Sequence, residues 1–443
     1  MNTEKIKKGK YVFQSIIESL SPLHIGSGDD NRSDMDILLD EDNMPFIPAT
    51  SFVGVLRHTI KPENDTLKQD LEKFWGFIKD KDGQQSRVYC SDLTCHSKNP
   101  KIVIRDGICI DNETGIVREK EKFNYEILER GTQFKLKMEF DFTETSLQFV
   151  NKMIATIYHL LKHEKLLIGA KTNNGLGCIR LIDQASKLYM FDFSQKAHVF
   201  RWINQYCTDD NLIQADNLAS KIELKYSQFK IDATFELKNS FIIRSYSKDP
   251  KMPDATHLKS HDNWVLAGSS LKGAIRSRAE RIVNTLEKPP KLISDLFGYI
   301  DDKSAKKGKV RVYENILPKF ISELHTRIKI DRFTGGTIES ALFDTMPIFT
   351  SFNDKVIEIN INIRDGSKSE IGLILLVLKD LWTGDLAVGG EKNIGRGIFQ
   401  GISAIIEHHD KKILVDRDFK PDNEEEEKFL KSFVEALNSK EIS

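Results

Sequence analysis

The segments IGAKTNNGLG (residues 168–177) and VGGEKNIGRG (residues 388–397) decide the fold, because Gly169, Asn173, Gly175 and Gly177 return as Gly389, Asn393, Gly395 and Gly397, each 220 positions later. Outward from these segments, other motifs recur in the same order at nearly the same displacement. PFIPATSFVGVLR ends at Arg57 and VLAGSSLKGAIR at Arg276, 219 positions on. FWGFI is centred on Gly76 and LFGYI on Gly298, 222 positions on, and each precedes an RVY, at Arg87–Tyr89 and Arg311–Tyr313. IDNETG begins at Ile110 and IDRFTG at Ile330, 220 positions apart. Self-similarity in fixed order at one period marks a tandem duplication.

Each copy also predicts the same succession of elements. Residues 11–20 and 229–243 are rich in β-branched and aromatic residues, as strands are. Each precedes a loop and then a helix opening near Thr50–Ser51 or Ser269–Ser270, where hydroxyls can cap free backbone N–H groups. A later strand (133–142; 355–363) leads into a second helix, whose first copy carries Leu147, Val150, Met153, Ile154, Ile157, Leu160 and Leu161 at a 3.6-residue period. The glycine segment and a last strand (178–182; 397–405) follow. This order predicts an α+β chain of two tandem ferredoxin-like (RRM-like) domains, the architecture of one large class of RNA binders. The boundaries read as 1–184 for the first repeat, 185–228 for a packed connector, 229–407 for the second repeat and 408–443 for a helical tail with the stripe Phe429, Leu430, Phe433, Leu437.

Composition fits this reading. A chain of 443 residues favours more than one core, and 40% hydrophobic with 30% charged residues is that of folded globular domains. No apolar run reaches the ~18 residues of a membrane span, and MNTEKIKKGK lacks a secretory apolar segment, so the expected location is cytoplasmic with no membrane partner. Five cysteines make no disulfide framework in so long a chain. Cys90, Cys95, His96 and Cys109 are a candidate zinc set, although their spacing fits no standard ligand pattern and the second repeat lacks them. The net charge of −1 neither favours nor excludes nucleic acid.

The chemistry-bearing candidates lie where the repeats coincide. In the loop after the first strand, Asp36 falls near the register of Asp254, 218 positions on, with Asp29, Asp30, Asp34 and Asp249 as rivals. A loop carboxylate beside RNA can act as a general base on a 2′-hydroxyl or help hold a divalent cation. His24 and Arg244 coincide at the end of the first strand as candidate phosphate donors, and His257 and His261 are candidate proton carriers. The glycine segments lack the Gly-Lys-Ser/Thr ending of a nucleotide loop; they offer open backbone N–H groups beside Lys171 and Asn173, or Lys392 and Asn393, as well as a plain turn into the last strand. Ser51, Arg57, Ser270, Lys272 and Arg276 stand on helix first turns that favour phosphate.

The combination of HIGSG, IPATSFVGVLR, IDNETG and IGAKTNNGLG with LAGSSLKGAIR, IDRFTGGTIESALFD and VGGEKNIGRG resembles the RAMP superfamily of CRISPR-associated proteins. Within it, the chain is similar to the backbone subunits of type III effector complexes, with two units fused as in type III-D variants. The resemblance implies binding of CRISPR RNA, pairing with a target RNA, assembly with other type III subunits, and Mg2+-dependent endoribonuclease action with Asp36 and Asp254 as catalytic residues. It implies thumb hairpins at residues 110–134 and 330–349, with Phe123, Tyr125 and Phe343 placed against bases. A noncatalytic guide-RNA scaffold and a metal-independent CRISPR RNA-processing ribonuclease are the alternatives. Two departures stand out: ATSFVG replaces the usual GSSLKG in the first repeat, and the second lacks the HIGSG glycines.

Overall fold

The computed structural model describes residues 7–29, 31–79, 82–111, 114, 116–213, 218, 228–246, 251–301, 304–350 and 356–439. They form two compact units, one of residues 1–107, 123–172 and 176–225, the other of 108–122, 173–175 and 226–443.

Along the first half of the chain the strand β1 (Gly9–Ser19) is followed by helices α1 (Ala49–Thr59) and α2 (Asp65–Trp75), strand β2 (Val88–Cys90), a long hairpin β3 (Ile102–Ile110) and β4 (Val117–Leu128), of which residues 108–122 fall in the second unit, strand β5 (Gln133–Phe142), helix α3 (Leu147–Lys162) and strands β6 (Ile179–Leu181) and β7 (Lys187–Asp192), then helix α4 (Lys196–Ile203). The sheet runs β2, β5, β1, with β6 and β7 both along the far edge of β1, and every pairing is antiparallel. That is the ferredoxin-like order. Register explains the core: Tyr11 opposite Phe140, Phe13 opposite Met138 and Ile17 opposite Phe134 lie on one face. There they join Val150, Met153, Ile154 and Ile157 of α3 in one cluster. The expected period of α3 is borne out.

The helix-free face is closed at one end by the segment expected to be a connector. Strand β7 extends the sheet, and Trp202 of α4 packs with Val12, Tyr189 and Phe191. Lys10 lies 4.7 Å over Trp202 and pairs with Glu139 at 2.7 Å.

The second unit repeats the plan with strand β8 (Gln228–Leu237), helices α5 (Gly268–Thr285) and α6 (Lys291–Phe297), strand β9 (Val310–Val312), hairpin β10 (His325–Ile330) and β11 (Thr337–Met346), strand β12 (Val356–Arg364), helix α7 (Lys368–Thr383), strands β13 (Phe399–His408) and β14 (Lys411–Val415), and helix α8 (Glu424–Asn438). Its sheet runs β9, β12, β8, β13, β14. Helix α7 starts on a capping box, Ser367 Oγ accepting from Glu370 N and Glu370 Oε2 accepting from Ser367 N, and stops at left-handed Gly384. The tail is more than a helix: β14 widens the sheet, and α8 sends Leu430, Phe433 and Leu437 into the core.

One motif match is out of step. Arg87 N donates to Phe74 O at 3.0 Å and Lys309 N to Leu296 O at 2.8 Å, and Val88 pairs with β5 as Val310 pairs with β12. Arg87 therefore corresponds to Lys309, and the two RVY triplets differ by two residues in structural register. The hydroxyl caps are also absent: α1 and α5 have no side-chain cap bond, and Ala49 N instead donates to Asp92 Oδ1 at 2.7 Å. No helix among the described residues is long and apolar enough to cross a membrane.

Gly372 shows how tightly α8 is seated on α7, since a Cβ there would lie 2.1 Å from Phe433 O. Helix propensity favours Ala over Gly by about 1 kcal/mol, whereas backbone overlap of this kind costs about 1–3 kcal/mol, so the clash wins. Gly372→Ala is therefore expected to lower the urea midpoint; an unchanged or higher midpoint would show that α8 is not held this closely.

Candidate functional site

The loop after β1 is organised by a buried carboxylate. Asp36 is 2% exposed; its Oδ2 accepts from Asn31 N and Arg32 N at 3.0 Å each, and its Oδ1 from Ser33 N at 2.7 Å and Ser33 Oγ at 2.9 Å. Burial pushes the Asp36 carboxyl up, but the Arg32 and Ser33 donors outweigh it and leave the group below its ordinary range. Arg32 in turn lays its guanidinium on Glu126, Nε to Oε1 and Nη2 to Oε2 at 2.9 Å. With its lone pairs so committed, Asp36 serves as the internal anchor of the loop.

The exposed acid two residues earlier has a different setting. Asp34 Oδ2 accepts from Asn124 N at 2.7 Å, and Asp34 N donates to Asn124 Oδ1 at 3.0 Å. In the second unit Asp254 Oδ2 accepts from Asp344 N at 2.8 Å. Residues 34 and 254, like 124 and 344, are 220 positions apart. Both exposed carboxylates thus hang on the returning strand of the long hairpin, β4 or β11, and the structural partner of Asp254 is Asp34. Asp29 is exposed and Asp30 and Asp249 lie outside the described residues.

Several of the expected contact residues lie wholly or partly in packing. His24 is buried, Nδ1 2.6 Å from Glu126 O, with its ring edge-on to Tyr125. Tyr125 is buried with Ile127 and Leu176, and Phe123 covers Gly107, where a Cβ would lie 2.3 Å from its ring. Lys171 stands 4.7 Å over Phe123 and 4.5 Å over Tyr125. This first-repeat set is a cation–π stack in which Lys171 and Phe123 stay half-buried. Phe343 keeps 38% exposure, and Phe333 at the hairpin turn, which sequence reading passed over, is 99% exposed. His257 is buried with its Nε2 on Val265 O and its Nδ1 on Ile243 N, and burial lowers its pKa to about 4. His261 is exposed in a left-handed turn.

At the helix starts Ser51 and Arg57 are exposed, Ser270 is half-buried, and Arg276 pairs with Glu280 at 2.9 Å. Burial, then Arg276, Arg311 and Lys307, lower Lys272 to about 8. Arg311 itself is buried, and its Nε has no hydrogen-bond partner among the described residues. Asn173, within the second unit, donates from Nδ2 to Gly308 O at 2.7 Å, so its amide is already engaged. Lys392 and Asn393 are exposed on a one-turn 3-10 segment (Lys392–Ile394).

Cys90, Cys95, His96 and Cys109 do not assemble: among the described residues there is no group of three or more His, Cys, Asp or Glu placed to hold a metal. Burial, with Asp92, pushes the Cys90 thiol up to about 12, which keeps it protonated.

A fold of two ferredoxin-like units with matching acidic loops, hairpins and glycine turns is thus on view. The RAMP superfamily profile matches residues 16–180 and 234–400, and the chain belongs to that superfamily. No curated protein matches it.

Because the Asp36 pKa is depressed in the fold, its contribution is present above the ordinary carboxylate pKa and is lost as pH falls through the folded value. Asp36→Ala should lower the thermal midpoint at neutral pH, with the gap from the parent closing as the pH drops below about 4. A gap that stays constant with pH, or none at pH 7, would contradict the anchor role.

Proposed function

We propose that the chain is a double-length backbone subunit of a type III CRISPR ribonucleoprotein, a tandem fusion of the type III-D kind, which binds CRISPR RNA and cleaves the paired target RNA at two sites. The observation that carries this reading is the repetition of one arrangement: an exposed aspartate, Asp34 or Asp254, bonded to the backbone of the long hairpin in each unit. Superfamily membership supplies the RNA context. Sequence is read by base pairing, so the protein needs contacts to backbone and shape alone.

In the proposed reaction the hairpins β3–β4 and β10–β11 act as thumbs that splay the target strand, with exposed Phe333 and Phe343 available to bases in the second repeat. Splaying frees a 2′-hydroxyl to line up with its own 3′-phosphate, which a stacked A-form helix forbids. The Asp34 or Asp254 carboxylate takes the proton from the 2′-oxygen as that oxygen bonds to phosphorus. The 5′-oxygen of the next nucleotide leaves and takes a proton from water, giving a 2′,3′-cyclic phosphate and a 5′-hydroxyl.

Mg2+ fits the second repeat's donors better than the first's. Asp254 is exposed and Asp344 keeps an Oδ1 with no hydrogen-bond partner among the described residues, whereas the first repeat has the amide of Asn124 in the Asp344 position. Asp254 and Asp344 would hold the ion with water and RNA phosphates completing its shell, and the ion would neutralise charge developing on the phosphoryl oxygens. The processing-ribonuclease alternative loses His24 and His257 to burial.

The test is target cleavage by the assembled complex carrying Asp34→Ala or Asp254→Ala. Each variant should lose one distinct product, by about 10²-fold or more, and retain the other. Asp254→Ala should remove the product that forms at the lower Mg2+ concentration. Retention of all products by both variants would overturn target cleavage at these aspartates in favour of the guide-RNA scaffold or the processing ribonuclease.

A further inference from the structure

In the second unit three arginines meet one carboxylate that the sequence reading did not single out. Glu391, left-handed with φ 58°, has a side chain only 5% exposed. Arg244 Nη2 donates to its Oε1 at 3.3 Å, while Arg327 Nη1 and Arg396 Nε lie 3.0 and 2.9 Å from its Oε2. Neither of the last two contacts has hydrogen-bond alignment, since Oε2 has no such partner among the described residues. They are ion pairs whose N–H groups point elsewhere. The Arg396 side chain is 4% exposed, its Nη2 is 3.3 Å from His325 Nδ1, and its Nη1 has no partner among the described residues. A further carboxylate, Glu323, lies at the margin, 3.7 Å from His325 Nε2.

Three fixed guanidinium charges against one carboxylate leave an excess of two positive charges, with a donor already out of water. An unpaired buried donor is costly, and a guanidinium cluster of this kind is stable when an external oxyanion completes it. The outer edges remain reachable, because the Arg244 and Arg327 side chains keep 40% and 31% exposure. The first repeat has no such excess: 220 positions earlier stand His24, Gly107, Lys171 and Leu176, where Lys171 is spent on Phe123 and Tyr125.

We propose that Arg244, Arg327 and Arg396 form a phosphate cradle found only in the second repeat, with Glu391 as its built-in counter-ion and one RNA phosphodiester as its ligand. The cradle rests on the RNA-binding reading above and adds to it a fixed anchor point that the first repeat lacks. Guanidinium groups arriving from the segment after β8, from the hairpin and from the glycine turn surround one point, and Lys392 and Asn393 stand exposed beside it. Such a surface suits a continuous sugar-phosphate chain better than a single carboxylate.

The experiment is fluorescence anisotropy of the full-length chain with labelled oligouridylate over a series of KCl concentrations, with thermal unfolding alongside. Arg244→Gln and Arg327→Gln, both at partly exposed side chains, should each weaken binding by about tenfold at low salt and reduce the slope of log K against log salt by about 1. Their unfolding midpoints should stay near the parent's. Arg327→Lys should restore the slope but only part of the affinity, because charge returns without the fork. A parent chain that binds with both variants equal to it in affinity and slope would overturn the cradle and leave the functional reading standing. Polyglutamate competing as well as RNA of equal charge would also overturn it, in favour of an acidic protein partner. No RNA binding by the parent would remove the functional reading and the cradle together.

Discussion

In each unit an exposed aspartate of the loop after the first strand accepts a backbone hydrogen bond from the long hairpin. Asp34 accepts the N–H of Asn124 and Asp254 that of Asp344, and with Met35 O on Glu126 N in the first unit and Ala255 and Thr256 paired with Thr345 and Met346 in the second they tie the loop to the returning strand of a long hairpin. The bond uses one oxygen and leaves the rest of the carboxylate in solvent. In the first unit the tie is reinforced from behind, where Asp36 gathers the N–H groups of Asn31, Arg32 and Ser33 and Arg32 clasps Glu126. Two acids two residues apart therefore divide the work: the buried one holds the loop and the exposed one faces outward.

The two units share a sheet order but have diverged in charge around it. The first closes its polar positions internally, with Lys10 on Glu139 under Trp202 and Lys171 on two aromatic rings. The second leaves cations in excess, at Lys272 with Arg311 and at the three arginines around Glu391. A duplicated unit is free to diverge in this way, one copy closing its charges internally and the other keeping an excess of positive charge.

The fold was largely legible in the sequence, because periodicity and repetition are local signals. The stripe of α3, the strand at 133–142 and the glycine turns sit where the pattern placed them, and the strand expected at 355–363 runs over Val356–Arg364. What failed was register finer than the repeat. Asp36 and Asp254 looked paired at a displacement of 218, yet the bond to the hairpin selects Asp34; only the three-dimensional partner distinguishes them. The RVY triplets misled because the loop before the strand keeps its length while the triplet stands two register positions later in the second repeat. His24, Tyr125 and Phe123 look like binding groups by type, but burial depends on contacts from far along the chain, such as Glu126 on His24 and Gly107 under Phe123. Glu391 and Arg396 lay inside a quoted motif and still went unread, because Arg327 reaches them from a hairpin some sixty residues away in sequence.

The central claim is that the two exposed aspartates address two scissile links in one RNA. The most direct measurement is a structure of the assembled complex with guide and target RNA in which the target carries 2′-deoxy substitutions that block cleavage. The account predicts a displaced nucleotide beside each long hairpin, with its 2′ position facing Asp34 in one unit and Asp254 in the other. A target strand that stays stacked past both loops, or runs over a face remote from both carboxylates, would contradict it.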